Sequence, residues 1–164
     1  ASAVEVANEF LSLPEAQGQL TQMKLQKLAY IADGWNWAIN DNDLVEENAE
    51  AWNYGPVFKD LYDHTKFFGS SPLPPGRLIR PGDNEVMRFF GGKNKRSVPY
   101  KAGLSAEQRS VIQHVWSRYG NLSAIELSQL NTSQVPLGLM PVSYTHLRAH
   151  ETKANLVCRL LLEK

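Results

Sequence analysis

The sequence predicts a mainly α fold: a compact single-domain helical bundle with a small β element. Three observations carry that expectation. Capping boxes recur at Ser2/Glu5, Ser105/Gln108 and Ser123/Glu126, each opening a run of apolar residues at helical spacing. The longest apolar stripe, Leu25, Leu28, Ala29, Ala32, Trp35 and Ile39, keeps the same period. Between the helical stretches only LVEENAEAWNY, from Leu44 to Tyr54, has the partly alternating character of one or two short strands.

Taken in order, the Ser2 box leads into Val6, Ala7, Phe10 and Leu13, a short amphipathic helix ending near Pro14. After the polar linker EAQGQ, Thr21 caps the second helix, the expected centre of the core. Gly34 inside it costs about 1 kcal/mol relative to Ala, so another backbone or a large ring is expected close by. NDND, Asn40 to Asp43, is a turn. Pro56 is placed to start a third helix, VFKDLYDHTKFF, because its missing N–H is no loss in a first turn, and Gly69 is its stop. Ser70 to Asn84 is too rich in Pro and Gly for regular structure. EVMRFF, residues 85–90, is read as a strand, and GGKNKRSVPYKAG, residues 91–103, as a basic loop. A helix then carries Val111, Ile112, Val115, Trp116 and Tyr119 and is closed by Gly120. The last, IELSQL, follows the Ser123 box. No internal repeat is present.

The authentic domain is expected to be residues 1–140, within the usual ~100–200 residues of one domain. The segment 142–164, VSYTHLRAHETKANLVCRLLLEK, resembles translated sequencing-adapter DNA, so 141–164 is read as a non-native tail and set aside. With it go His146 and His150, at the i, i+4 spacing of a paired metal site, and Cys158. Because residues 1–140 then hold His64 and His114 as their only histidines and no cysteine, a Cys/His zinc site, a thiol nucleophile and disulfides are excluded there. No cofactor is expected. No run approaches the ~20 apolar residues of a membrane span, and the chain does not open on a signal peptide, so the expected location is cytoplasmic. With Ala1 in place of an initiator Met, a gene fragment is expected.

Charge is unevenly spread. Residues 1–63 carry 3 basic against 11 acidic side chains, and residues 64–109 carry 9 basic against 3 acidic. An acidic half and a basic loop suit partners of opposite charge, or one end of the molecule on nucleic acid; ordinary solvated surface is the plainer reading. Lys93, Lys95, Arg96, Tyr100 and Lys101 could contact phosphates, which keeps a DNA-binding regulator as the lesser alternative. FGGKNK lacks the spacing of a phosphate-binding loop.

For catalysis, Asp60, Asp63 and His64 put carboxylates beside an imidazole, but no nucleophile accompanies them, and Asp60/His64 at i, i+4 is a common surface pair. The chain is therefore read as a non-enzyme. What remains is aromatic. Tyr30 and Trp37 lie off the apolar stripe, and Trp52, Tyr54, Phe58 and Tyr62 gather around the Gly55-Pro56 corner. Most of these rings are expected in the core, and one or two at a partner, since Trp and Tyr dominate binding hot spots. Trp52 is expected to anchor the corner, with Gly55 relieving backbone strain. Lys24, Gln26 and Lys27, on what reads as the more polar side of the second helix, are expected partner contacts.

Four stretches carry a family resemblance: AVEVANEFL (3–11), LTQMKLQKLAYIADGW (20–35), EAWNYGPVFKDLY (50–62) and LSAEQRSVIQHVWSRYGNLSAIELSQL (104–130). In that order they resemble the SocA-like, or Panacea, domain of bacterial and prophage proteins, often labelled phage-associated. KLQKLAY and AWNYGPV are the most specific pieces. The resemblance, spanning nearly all of residues 2–137, implies an antitoxin that binds a cognate toxin directly and neutralises it. For the SocA-like case it also implies an adaptor that delivers the toxin to a ClpXP-type protease. Past the last helix the family continues with a His and a Pro-Trp pair, where this chain has Thr132 and Leu137.

Overall fold

The computed structural model describes residues 1–74 and 102–132, and within them the chain is mainly helical with a small antiparallel sheet. Helix α1 spans Ala3–Ser12 and is followed by a 3₁₀ turn, Pro14–Ala16. Helix α2, Gln22–Asn40, leads through a loop to strands β1, Glu50–Trp52, and β2, Gly55–Val57. Helix α3, Lys59–Thr65, runs on into a 3₁₀ turn, Lys66–Phe68. Helices α4, Ala106–Tyr119, and α5, Ala124–Thr132, complete the described elements. The expected strand at 85–90, the basic residues from Lys93 to Lys101 and the segment 141–164 with His146, His150 and Cys158 lie outside the described residues.

The helix starts form as their sequences dictate. Ser2 Oγ accepts from Glu5 N at 3.2 Å while Glu5 returns its carboxylate to Ser2 N at 2.8 Å. The same reciprocal pairs close at Ser105/Gln108 and Ser123/Glu126. Thr21 Oγ1 accepts from Lys24 N at 3.3 Å. Each cap satisfies a backbone donor that the first helical turn leaves open, worth about 0.5–2 kcal/mol. At its other end α2 stops on Asp41, whose φ of 52° lies in the left-handed region that Asp tolerates better than most residues. Asn36 holds this turn, donating Nδ2 to Asn42 O at 2.8 Å and accepting from Asn40 Nδ2 at 2.8 Å.

Helix α2 is the centre of the molecule, packed by α1, α3, α4, α5 and β2. Every residue from Lys24 to Asn36 is buried. Phe10, Leu25, Leu28, Ile31, Ile112 and Leu127 meet around it at under 2 % exposure. Burial of each such side chain contributes roughly 1.5–3 kcal/mol of transfer free energy. The end of the apolar stripe is corrected: Ile39 is 60 % exposed, because the packing partners of α2 end a turn before the helix does.

The start of α3 is corrected as well. Pro56 does not open the helix; it sits in β2 opposite Ala51, with Glu50 paired to Val57 and Trp52 to Gly55. A proline fits there because a two-stranded sheet has edges where no N–H is required. The helix begins three residues later, at Lys59.

Candidate functional site

Three elements build the corner around Gly55-Pro56: the β1–β2 hairpin, the start of α3 and the first turns of α2. The link is polar. Gln26 Nε2 donates to Phe58 O at 3.0 Å and its Oε1 accepts from Phe58 N at 2.9 Å, so one buried amide satisfies both backbone groups of one residue. Lys27 Nζ donates to Pro56 O at 3.0 Å. From the other side Ser128 Oγ of α5 donates to Tyr54 O at 2.6 Å. Gly55 turns the hairpin with φ 96°, a conformation that side chains disfavour. The two stretches most specific in the sequence, KLQKLAY and AWNYGPV, are thus bonded to one another.

Lys24, Gln26 and Lys27 are therefore not on an outer polar side. They are 7 %, 2 % and 1 % exposed, and that expectation is corrected. A central helix buries its whole circumference, and its polar residues stay inside by bonding backbone groups of the surrounding elements. Lys24 Nζ donates to Gly120 O, at the C-terminal end of α4, and lies 5.2 Å from the centroid of the Trp116 ring. A cation at a helix C-terminus answers both the open carbonyls and the helix dipole. Burial lowers the Lys24 ammonium below its usual range, and it pushes Lys27 down to about 8.

The aromatic residues divide. Phe58 is fully buried and Tyr30 nearly so, their centroids 6.4 Å apart. Burial, and then the neighbouring Asp33 carboxylate, push the Tyr30 phenol up to about 12. Trp37 is half-buried near the end of α2, away from the corner bonds. Trp52, expected to anchor the corner, does so from the surface and not from the interior. It is 40 % exposed, donates Nε1 to Glu50 Oε2 at 2.9 Å and rests against Tyr62 with centroids 4.8 Å apart. Tyr54, at the hairpin tip, is 73 % exposed. On α5, Ile125, three residues before Ser128, is 66 % exposed.

Sequence reasoning passed over two residues that hold this arrangement. Asp33 Oδ1 accepts from Leu44 N at 2.9 Å and Val45 N at 3.0 Å, fixing the loop that delivers β1. A carboxylate inside an otherwise apolar stretch of helix was the available signal. Ser128 had none, because its partner is 74 positions away.

The suggested acid–base group does not assemble as one unit. His64 Nδ1 faces Asp60 O at 2.8 Å and Asp60 Oδ1 at 3.5 Å. Asp63 instead bridges Lys59 at 2.8 Å and Lys66 at 2.9 Å, and those bonds pull its carboxyl down to about 2. His114 is exposed and lies edge-on to Trp35 with centroids 5.0 Å apart. Among the described residues no His/Cys/Asp/Glu group is arranged to hold a metal ion, and no helix is long and apolar enough to cross a membrane.

No curated protein and no solved structure is matched by the chain. Comparison with protein-family models matches residues 25–134 to the family described as antitoxin SocA-like, Panacea domain. That span begins with the α2 stretch holding Gln26 and Lys27, takes in the whole corner and ends just beyond α5. The chain belongs to the SocA-like, Panacea-domain antitoxin family.

Proposed function

We propose that this domain is a non-enzymatic, cytoplasmic antitoxin of a bacterial or prophage toxin–antitoxin system, which neutralises a cognate toxin by binding it directly. Family membership carries the reading. The structure is compatible with a scaffold for binding: buried polar bonds fix the hairpin, while Trp52 and Tyr54 stay open to solvent. Rings held this way lose little side-chain freedom on association, which favours affinity. Delivery of the bound toxin to a ClpXP-type protease is the finer form of the same proposal, and nucleic acid is not the expected partner.

The test is co-expression of the chain, given a start Met, with the adjacent reading frame, scoring growth and co-purification together. The reading expects a neighbour that is toxic alone and that is both silenced and captured by this domain. Silencing without a complex would contradict it and favour a regulator acting on DNA through residues 93–101. Retained toxin levels alongside restored growth would remove the protease from the scheme and leave the binding.

A further inference from the structure

The hairpin has a charged setting that the family does not specify. Of the 3 basic side chains in residues 1–63, Lys24 and Lys27 are buried inside the molecule, which leaves Lys59 alone on the surface of that half. Lys59 is already paired with Asp63 at 2.8 Å. Glu50 and Asp60 stand near it, and Glu46 and Glu47 lie beyond on the side of Asp60, all four exposed or half-exposed.

These carboxylates form one neighbourhood. Glu47 feels the charges of Asp60 and Glu46, and Lys59 those of Glu50 and Asp60. Burial raises the Glu47 carboxyl first. The backbone N–H of Ala3 opposes that, the like charges of Asp60 and Glu46 push the carboxyl up further, and the N-terminal ammonium draws it down. Trp52 lies within the group, bonded through Nε1 to Glu50 and packed at a tilt of 59° against Tyr62, on the same helix as Asp60 and Asp63. Tyr54 carries the apolar surface to the hairpin tip, which Ser128 of α5 holds by its bond to Tyr54 O.

An apolar patch beside a row of carboxylates has a defined complement. We infer that the Trp52–Tyr62 face of the hairpin, with Tyr54, is the docking site for a basic segment of the toxin that presents an apolar side chain between its cationic groups. The inference rests on the antitoxin reading and adds the place and chemistry of contact. The apolar anchor supplies affinity through desolvation of the rings, and the carboxylates supply orientation and a fast, salt-sensitive approach. The repulsion among Glu46, Glu47 and Asp60, offset in part by the N-terminal ammonium 3.0 Å from Glu46, also falls when a cation enters.

The probe is the purified product of the adjacent reading frame, titrated against the full chain and against two variants. In Glu50→Lys/Asp60→Lys the charge of the row is reversed; in Trp52→Ala/Tyr54→Ala the anchor is removed. All four side chains are exposed, so melting temperatures near that of the unaltered chain are expected and certify the fold. The charge-reversed variant is expected to bind at least ~10-fold more weakly and to lose most of the response to salt between about 0.1 M and about 1 M. The anchor variant is expected to lose ~30-fold or more, the scale of a hot spot, while keeping its salt response.

A complex with unaltered affinity and salt response in both variants would overturn the site and leave the antitoxin reading standing. No complex with the unaltered chain would overturn both. A self-associated chain that the same variants convert to monomer would assign the face to a second copy and overturn the toxin assignment.

Discussion

Gln26 both donates to and accepts from Phe58, and that pair of bonds defines what a substitution does there. Gln26→Leu leaves the buried Phe58 N–H without a partner, at about 1–3 kcal/mol, and takes one of two donors from Phe58 O, which keeps the Tyr62 N–H at 3.0 Å. Gln26→Glu keeps the shape and the acceptor but loses the donor and buries a charge, so it is expected to be at least as damaging in a urea melt. Equal stability of the two variants and the unaltered protein would refute the role. Gly55→Ala is expected to lower stability by about 1–3 kcal/mol, since φ 96° strains any residue with a Cβ. Trp52→Ala, by contrast, is expected to cost less than about 1 kcal/mol, because its ring is only partly covered and its indole N–H meets exposed Glu50. The identity of these residues was legible in the sequence, but the direction they face was not. Lys24, Gln26 and Lys27 look like surface in one dimension; they are interior because backbone groups far along the chain, at Gly120, Phe58 and Pro56, receive their polar ends.

At the scale of elements, the local rules held where the stabilising partners are local. Each capping box is closed by residues three apart, so its geometry is contained in four letters of sequence. Ser105→Ala is expected to lower stability by about 1 kcal/mol and to fray the first turn of α4, as amide exchange at Gln108 would register. The Pro56 boundary was misplaced for the opposite reason. A proline suits a helix start and a sheet edge alike, and what decides is the tie from Lys27 to Pro56 O and the register with Ala51. The stop of α2 at Asp41 and the turn beyond it were visible as NDND, although the Asn36–Asn40–Asn42 bonds that hold it were not.

The whole molecule is organised by a helix that carries buried amines, and this gives its stability a pH dependence. Lys27 titrates near 10.5 when unfolded and about 8 when folded. Between those values the unfolded chain holds a proton that the folded one has released, so stability rises with pH, by up to ~1.4 kcal/mol per unit. Tyr30 acts in the other sense: its phenol moves from 10.0 to about 12 on folding, so stability is lost as pH climbs through that range. Chemical melts are expected to gain stability from pH 8 to about 10 and to lose it above. Lys27→Met should flatten the rise and leave the fall; an undiminished rise in that variant would assign it to another group. The same burial of Lys24 and Lys27 strips positive charge from the surface around the hairpin and leaves the row of carboxylates. The proposed toxin contact lies on that face. Its most direct measurement is the hydrogen-exchange footprint of the complex, taken with the full chain and its toxic neighbour. Protection is predicted over residues 50–66 and at the start of α5, with the outer face of α4 unchanged. Protection confined to α4, with residues 50–66 exchanging as in the free chain, would contradict the account.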